Sequence, residues 1–329
     1  MTITGAGAAC GRSRAGRALA IGILALASVA AGPAGAADTI RVGKAVPEAF
    51  SFVPVDVGIR SGIFAKHGLD VQATAFAGDA KMQQAAVAGS IDILLGSGPA
   101  MAFIKKGSPI KAVGALTGAP QLMTIVVKYD GPVKAAADLK GRKISVSTAG
   151  SLTFWLTTEV SRRQGWGNTG IDIKPMGAMA PQIAAMTRGD IDGLVTDIAT
   201  ALDLEDRKQA RILIRFGDMI KDFHTNVIFA TDKVIAEKPQ VVRAFLAGWY
   251  DTIAWMTRNR PEAVKIAADV MRKSPQISEK TYDVLMPVFS ADGKFNPAAL
   301  VTLRKSYVEM KLLPEEPDMA TLIDTKFLP

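Results

Sequence analysis

Polar side chains with a recognisable chemistry cluster at residues 147–153, where a predicted strand is followed by a predicted helix. Free N–H groups and the helix dipole at such a junction favour an anion. Gly150 would let a ligand approach the backbone, and Thr148, Ser151 and Thr153 supply hydroxyl donors. Ser151 also fits an ordinary helix N-cap, so the pattern allows a cap, a ligand contact or both.

A second candidate is the turn GSGPAM at residues 96–101. Its glycine pair looks like half of a dinucleotide-binding fingerprint, but that fingerprint requires glycine or alanine where Met101 stands. The turn also follows the third predicted strand of its module, whereas the fingerprint follows the first. It therefore predicts either a plain turn into a helix or a ligand-facing loop that offers the Ser97 hydroxyl and backbone N–H groups.

Asp197 occupies, in a second and similar segment, the place that Ser97 takes in the first. Such an acid could bind an ammonium group or several donors of a ligand, or it could cap the helix that follows. The sequence has two histidines, one cysteine and no clustered carboxylates. We therefore expect no metal site, no cofactor and no catalytic residues.

The candidate residues belong to two copies of a strand–helix–strand–helix–strand pattern. The segments AAVAGSIDILLGSG (85–98) and AMTRGDIDGLVTDI (185–198) share Ala, Gly, Ile, Asp and Leu at an offset of 100 residues. This order predicts an α/β fold with two lobes, each a mostly parallel sheet flanked by helices. Ligands bind at the carboxyl ends of parallel strands, so four strand ends would surround one cleft. Amphipathic segments from Pro239 onward predict a helical C-terminal covering.

Residues 1–37 have the features of a secretory signal peptide. Three arginines precede an apolar run at 18–31 that is too short to span a bilayer, and small residues follow at 34–37. Its removal lowers the net charge from +8 to +5, because the peptide carries three arginines and no acid. The cysteine is removed with it, so no disulfide is expected. The remaining basic residues are scattered among acids, which argues against a nucleic-acid partner.

Two predicted strands, at 122–129 and 226–230, indicate where the chain enters and leaves the second copy. The expected division is a signal peptide at 1–37, a first lobe formed by 38–122 and 230–329 with the C-terminal helices, and a second lobe at 123–229.

Five segments resemble, in this order, the periplasmic substrate-binding proteins of ABC importers in the nitrate/sulfonate/taurine group, the NMT1/THI5-like family. They are SGIFAKHGLDV (61–71), AGSIDILLGSG (88–98), AADLKGRKISVSTAGS (136–151), KPQVVRAFLAGW (238–249) and LIDTKFL (322–328). The resemblance implies a type II periplasmic binding protein fold whose two lobes close on a small ligand. It implies ligand contacts at Phe50, Ser51, Ser97, Gly98, Thr148 to Ser151 and Asp197. Lys44, at the end of the first strand, is the nearest candidate cation.

The function that this resemblance implies is that of a monomeric, non-enzymatic receptor in the periplasm. It would capture a small anionic or zwitterionic organic compound, such as a sulfonate, taurine or nitrate, and deliver it to an ABC permease. Pyrimidine or thiamine precursors and aromatic carboxylates are alternative ligands, and an exported enzyme using the same cleft is an alternative class. Pyrimidine-forming enzymes of the superfamily carry a cysteine-rich motif, which residues 38–329 lack.

Overall fold

The computed structural model describes residues 37–149 and 151–329. The predicted signal peptide, apart from Ala37, and Gly150 of the predicted ligand contacts lie outside these residues. Within them, no helix combines the length and the apolar character needed to cross a membrane. The described chain is built on two five-stranded sheets. The strands are β1 (Asp38–Lys44), β2 (Leu69–Ala75), β3 (Ile93–Ser97), β4 (Ile110–Thr117), β5 (Met123–Lys128), β6 (Lys143–Val146), β7 (Asp172–Pro175), β8 (Gly193–Asp197), β9 (Ala210–Arg215) and β10 (Asn226–Thr231).

Both sheets have the same strand arrangement. The first has the order β2-β1-β3-β10-β4 and the second the order β7-β6-β8-β5-β9. In the first sheet β1 pairs in parallel with β2 and β3, and β10 runs antiparallel between β3 and β4. In the second sheet β6 pairs in parallel with β7 and β8, and β5 runs antiparallel between β8 and β9. Each sheet is therefore mostly parallel, as the sequence pattern predicts, and each also contains one reversed strand.

Helices cover these sheets, and several of them begin at residues suited to that position. Ser151, Asp197 and Thr231 act as N-caps, because their side chains accept N–H groups of the first turn. The helices are α1 (Val53–Arg60), α2 (Ile63–Lys66), α3 (Asp79–Val87), α4 (Ala102–Lys105), α5 (Leu152–Arg163), α6 (Met179–Arg188), α7 (Ile198–Asp206), α8 (Phe216–Met219), α9 (Asp232–Glu237), α10 (Pro239–Arg258), α11 (Arg260–Met271), α12 (Pro275–Leu285) and α13 (Pro297–Glu309).

The repeated sequence motif has the same structural role in both sheets. Gly89 and Gly189 each follow a helix in the left-handed conformation, with φ of +69° and +87°. Asp92 accepts a backbone N–H of β1 at 3.0 Å, and Asp192 accepts one of β6 at 2.9 Å. Each aspartate is thus bonded to the neighbouring parallel strand, which explains why the motif recurs at the same point of each sheet.

The C-terminal helices contact both sheet units. Helix α10 places an apolar face against α1 and α2, and Phe245 stacks on Phe64 with ring centroids 5.3 Å apart. Burial of such aromatic side chains contributes roughly 1.5–3 kcal/mol each. Helix α11 also packs on α1, whereas α12 packs on α7 beside the second sheet. The C-terminal helices therefore pack on elements beside both sheets rather than on those of one sheet alone.

The chain passes to the second sheet at residues 118–122 and returns at 216–225. From Asn226 onward, β10 pairs with the first sheet. The return therefore precedes the lobe boundary predicted between residues 229 and 230. The apolar pattern of β10 identifies a buried strand, but it does not show which sheet that strand joins.

The returning segment contains a buried histidine. His224 is 4% exposed, and its Nε2 accepts the backbone N–H of Asn296 at 2.9 Å. The ring lies edge-on to Phe295, with centroids 5.3 Å apart. Burial lowers the pKa of His224 to about 4 from its ordinary value of 6.5. The folded protein consequently holds this imidazole in the neutral form.

A protein that buries a neutral histidine loses stability when the unfolded chain can protonate it. We expect the contribution of His224 to be complete above pH 6.5 and to be lost as the pH falls from 6.5 to about 4. The full loss is on the order of 3 kcal/mol. Urea unfolding across this range should show a shallower pH dependence in His224→Gln than in the wild type. His67→Gln, which removes a partly exposed histidine, is the control, and equal slopes in wild type and His224→Gln would contradict the prediction.

Candidate functional site

A cavity of about 410 Å³ lies between the carboxyl-end loops of the second sheet and the segment that follows β1. This volume is within the range of small-molecule sites, and the position is the usual one for ligands in such sheets. The end of α11 and the crossing into β5 complete the walls. The lining residues are Val46, Glu48, Ala49, Leu122, Met123, Ser147, Thr153, Gly177, Met179, Gln182, Val195, Thr196, Asp197, Ala199, Thr200, Met271 and Lys273.

Three helices begin at this cavity. The first turns of α5, α6 and α7 contribute Thr153, Met179 and Ala199 to its lining. The N-termini of α5 and α7 are capped by Ser151 and Asp197, whereas no side chain caps α6. The N–H groups of Met179 and Ala180 at the start of α6 are therefore available to an acceptor from outside the helix, whereas Pro181 has no N–H.

The predicted hydroxyl cluster forms around Thr153. Its Oγ1 lies 3.1 Å from the backbone N of Ser147, 3.0 Å from the Ser147 hydroxyl and 2.9 Å from the Ser151 hydroxyl. Ser147 and Thr153 line the cavity, while Ser151 and Thr148 do not. Thr148 is exposed, and its carbonyl accepts the Ser151 hydroxyl at 2.8 Å. Two hydroxyl-bearing residues of the cluster, Ser147 and Thr153, thus line the cavity, while the Ser151 hydroxyl holds the loop.

Asp197 both caps a helix and lines the cavity. Its Oδ1 accepts the N–H of Thr200 at 3.0 Å, and its Oδ2 lies 3.5 Å from the Thr196 hydroxyl. The two roles proposed for this acid from the sequence are therefore compatible. Glu48 brings a second carboxylate to the cavity from the loop after β1. The described residues contain no group of three or more His, Cys, Asp or Glu side chains that could hold a metal ion.

The turn after β3 lies away from the cavity. The Ser97 hydroxyl donates to Asp79 at 2.8 Å, and the Ser97 N–H donates to the same carboxylate at 3.1 Å. The buried Gly98 donates its N–H to Thr225 at 2.9 Å, and its carbonyl accepts the Tyr307 hydroxyl at 3.1 Å. These polar groups already have partners within the protein, and neither Ser97 nor Gly98 lines the cavity. Ligand contact at these two residues remains a prediction.

The other predicted contacts from the first lobe are also buried. Phe50 packs against Tyr282 and Phe289, with ring centroids 6.2 and 6.1 Å away. Ser51 is 2% exposed and does not line the cavity. The ammonium group of Lys44 forms an ion pair of 2.8 Å with Asp56, so the candidate cation named from the sequence is neutralised inside the lobe.

The cavity includes residues that the sequence pattern does not single out. Met123, Met179 and Met271 give it an apolar wall, and Lys273 brings a cation from the turn between α11 and α12. Methionine adapts its shape to irregular ligands, because its side chain is unbranched and polarisable. These residues come from distant parts of the chain, and no motif links them. Of the predicted contacts that the structure describes, Thr153 and Asp197 are the ones found in the lining.

The family model described as NMT1/THI5 like matches residues 49–264. The chain belongs to the NMT1/THI5-like family. This match covers the first sheet from the end of β1, the whole second sheet and the first C-terminal helices, and it confirms the resemblance found in the sequence. Comparison with curated proteins gives no match.

Solved structures with the same fold include binding proteins and an enzyme. The periplasmic aliphatic sulphonate binding protein SsuA from Escherichia coli has a TM-score of 0.75 and 19% identity, over 88% of this chain and 92% of that one. The alkanesulfonate-binding protein SsuA from Xanthomonas axonopodis pv. citri, bound to MOPS, has a TM-score of 0.73 and 18% identity, over 87% and 98%. The desulfurization enzyme DszB, in complex with biphenyl-2-sulfinic acid, has a TM-score of 0.67 and 15% identity, over 88% and 97%. These similarities confirm the two-lobed periplasmic binding protein fold.

The tight packing of the turn after β3 can be tested by adding one methyl group. A Cβ atom on Gly98 would overlap the backbone carbonyl oxygen of His224, so the crossing segment itself would have to shift to make room. We expect Gly98→Ala to lower the free energy of unfolding by about 2 kcal/mol or more. Gly118→Ala is the matched control, because its Cβ would meet the nearest atoms at ordinary contact distances of 3.8 and 4.0 Å. Equal stability of the two variants in urea titrations would refute this account of the turn.

Proposed function

We propose that this protein is an extracytoplasmic solute-binding receptor. It captures a small anionic or zwitterionic organic compound in the cavity between its lobes and delivers the compound to an ABC permease. In this proposal residues 1–37 are the signal peptide that directs the chain to the periplasm, and the two lobes follow the expected division except that residues 226–229 join the first lobe. The receptor acts as a monomer and catalyses no reaction. The observation that carries the proposal is the cavity at the strand ends of the second sheet, closed by residues of the first lobe.

The composition of the cavity supports an organic ligand with both polar and apolar parts. The uncapped start of α6 and the hydroxyl groups of Ser147 and Thr153 can bind an acidic head. Asp197 and Glu48 can accept hydrogen bonds from an ammonium or another donor of the ligand. The methionine wall suits a hydrocarbon or ring body. An ion as small as nitrate would use only part of such a site.

The proteins that share the fold support the same ligand class. SsuA from Xanthomonas axonopodis pv. citri is bound to MOPS, a sulfonate that carries a morpholine amine. SsuA from Escherichia coli is an aliphatic sulphonate binding protein. DszB holds biphenyl-2-sulfinic acid, which combines an acidic sulfur group with an apolar body. A sulfonate or a related organic acid is therefore the first class to test on this protein.

An enzymatic role is the second candidate, because DszB has this fold. Catalysis by acyl or sulfur transfer requires a nucleophile beside a general base. Among the described residues, the cavity lining contains neither cysteine nor histidine. The hydroxyl groups of Ser147 and Thr153 instead bond to each other. This arrangement favours binding over turnover.

The ligand class can be tested with a thermal-shift panel. It should contain MOPS, alkanesulfonates, taurine, nitrate, aromatic carboxylates and pyrimidines. We expect organic acids, and zwitterions above all, to raise the melting temperature, because ligands that bind only the folded state stabilise it. Stabilisation by neutral compounds alone would overturn the proposed ligand class. Conversion of a bound compound to a product would overturn the receptor role.

The substitution Asp197→Asn separates the contribution of Asp197 to ligand affinity from its role as an N-cap of α7. Asparagine is as good an N-cap as aspartate, so the unfolding free energy should change by less than about 1 kcal/mol. The variant removes the charge that would pair with an ammonium group. We expect its affinity for taurine or MOPS to fall roughly tenfold while its affinity for ethanesulfonate or propanesulfonate stays within a factor of about three. An equal loss for both kinds of sulfonate would show that Asp197 does not recognise the amine.

A further inference from the structure

Lys273 has an unusual position at the cavity. It lies in the short turn between α11 and α12, where Arg272 adopts the left-handed conformation with φ of +53° and the Lys273 N–H bonds to Ala268 at 3.1 Å. Among the described residues, it is the one lysine or arginine that lines the cavity. Its side chain is 22% exposed, so the ammonium group is partly withdrawn from solvent.

The ammonium group of Lys273 connects the C-terminal helices to the second sheet unit. Its Nζ lies 3.2 Å from Oδ2 of Asp203 on α7. The other oxygen of that carboxylate lies 3.0 Å from Arg207. Two cations therefore share one carboxylate, so the charge of Asp203 is divided between Lys273 and Arg207. A lysine ammonium has three N–H donors, and the bond to Asp203 uses one of them.

The position of Asp203 on α7 brings the ammonium group of Lys273 close to the cavity. Ala199 and Thr200, in the first turn of α7, line the cavity. Asp203 follows them by four and three residues, so it lies on the same face of the helix, one turn further along. The ammonium group held by Asp203 is thus about 5 Å along α7 from residues that line the cavity.

We propose that Lys273 is the cationic contact for the acidic group of the ligand and that Asp203 holds its ammonium group in place. This assignment rests on the proposed function. It replaces Lys44, which is neutralised by Asp56, as the source of positive charge for an anionic head. It also couples ligand capture to lobe closure, because the ion pair with Asp203 joins the turn after α11 to the second sheet unit.

The test compares an acid with the amide in which the acidic group is uncharged and the rest of the compound is the same, in matched variants. The probes are MOPS with 3-morpholinopropane-1-sulfonamide, and benzoate with benzamide, titrated by calorimetry into the full-length mature protein. We expect the wild type to prefer each acid over its amide. Lys273→Met keeps the length of the side chain and should reduce that preference tenfold or more, the effect of losing one charge-assisted hydrogen bond. Lys273→Arg, which keeps the charge, should retain most of the preference.

A second contact between the lobes provides the control. Glu309 at the end of α13 accepts the Trp155 indole N–H at 2.6 Å and pairs with Arg162 at 2.9 Å, both on α5, and it does not line the cavity. Glu309→Gln should alter the affinities for acid and amide by the same factor, as a change in closure alone would. The assignment is overturned if Lys273→Met keeps the wild-type preference or behaves like Glu309→Gln. A wild type that binds neither acid contradicts the proposed function as well, whereas acid binding that Lys273→Met leaves intact refutes only the role of Lys273.

Discussion

The reversed strand in each sheet is the constraint on which the two-lobed arrangement depends. Strands β5 and β10 run antiparallel between two neighbours that are parallel to each other, and both are supplied by the chain as it crosses between sheets. All six residues of β10 are buried. Removing either strand would leave backbone groups of two neighbours without partners, at a cost of about 1–3 kcal/mol for each buried group. Each crossing segment is thus fixed at both ends by a strand of a sheet. The space between the sheets is bounded by these segments, which cannot shift without moving the strands.

This arrangement places charges of both signs around one space. Helix N-termini and Lys273 contribute positive potential, while Glu48 and Asp197 contribute carboxylates. The negative charge of Asp197 is partly offset by its own helix, since it accepts an N–H of the first turn of α7. The apolar methionine side chains of the same lining would strengthen the interaction of these groups with a ligand by excluding water. In the proposed receptor, such a cavity would discriminate by the placement of charges within a ligand more than by the net charge of that ligand.

Local patterns in the sequence predict the elements that are repeated, and the structure confirms them. The motif ending in Asp92 and Asp192 identifies corresponding strands, because its glycine, its aspartate and its apolar residues each have a local physical role. Strands β4 and β9 lack such a motif, and the repeated pattern does not predict them. The environment of side chains was harder to predict: the charge on Lys44 is cancelled by Asp56, twelve residues away, and Ser97 bonds to Asp79 rather than facing the cavity. Lys273 lines the cavity together with residues of β8, but it lies in the turn after α11, and no local sequence pattern predicts that these two segments meet.

The position of β10 in the chain also has a consequence for how the protein folds. The second sheet is formed entirely by residues 123–215, whereas the first sheet needs β10, which begins at residue 226. A chain that emerges from its N-terminus can therefore complete the second sheet while β3 and β4 still expose the edges that β10 will join. Contacts this distant in sequence slow folding, because the loop between them must be ordered first. The first sheet begins to form earliest and is completed last. Its strands β3 and β4 lack their shared neighbour until more than two thirds of the chain has emerged.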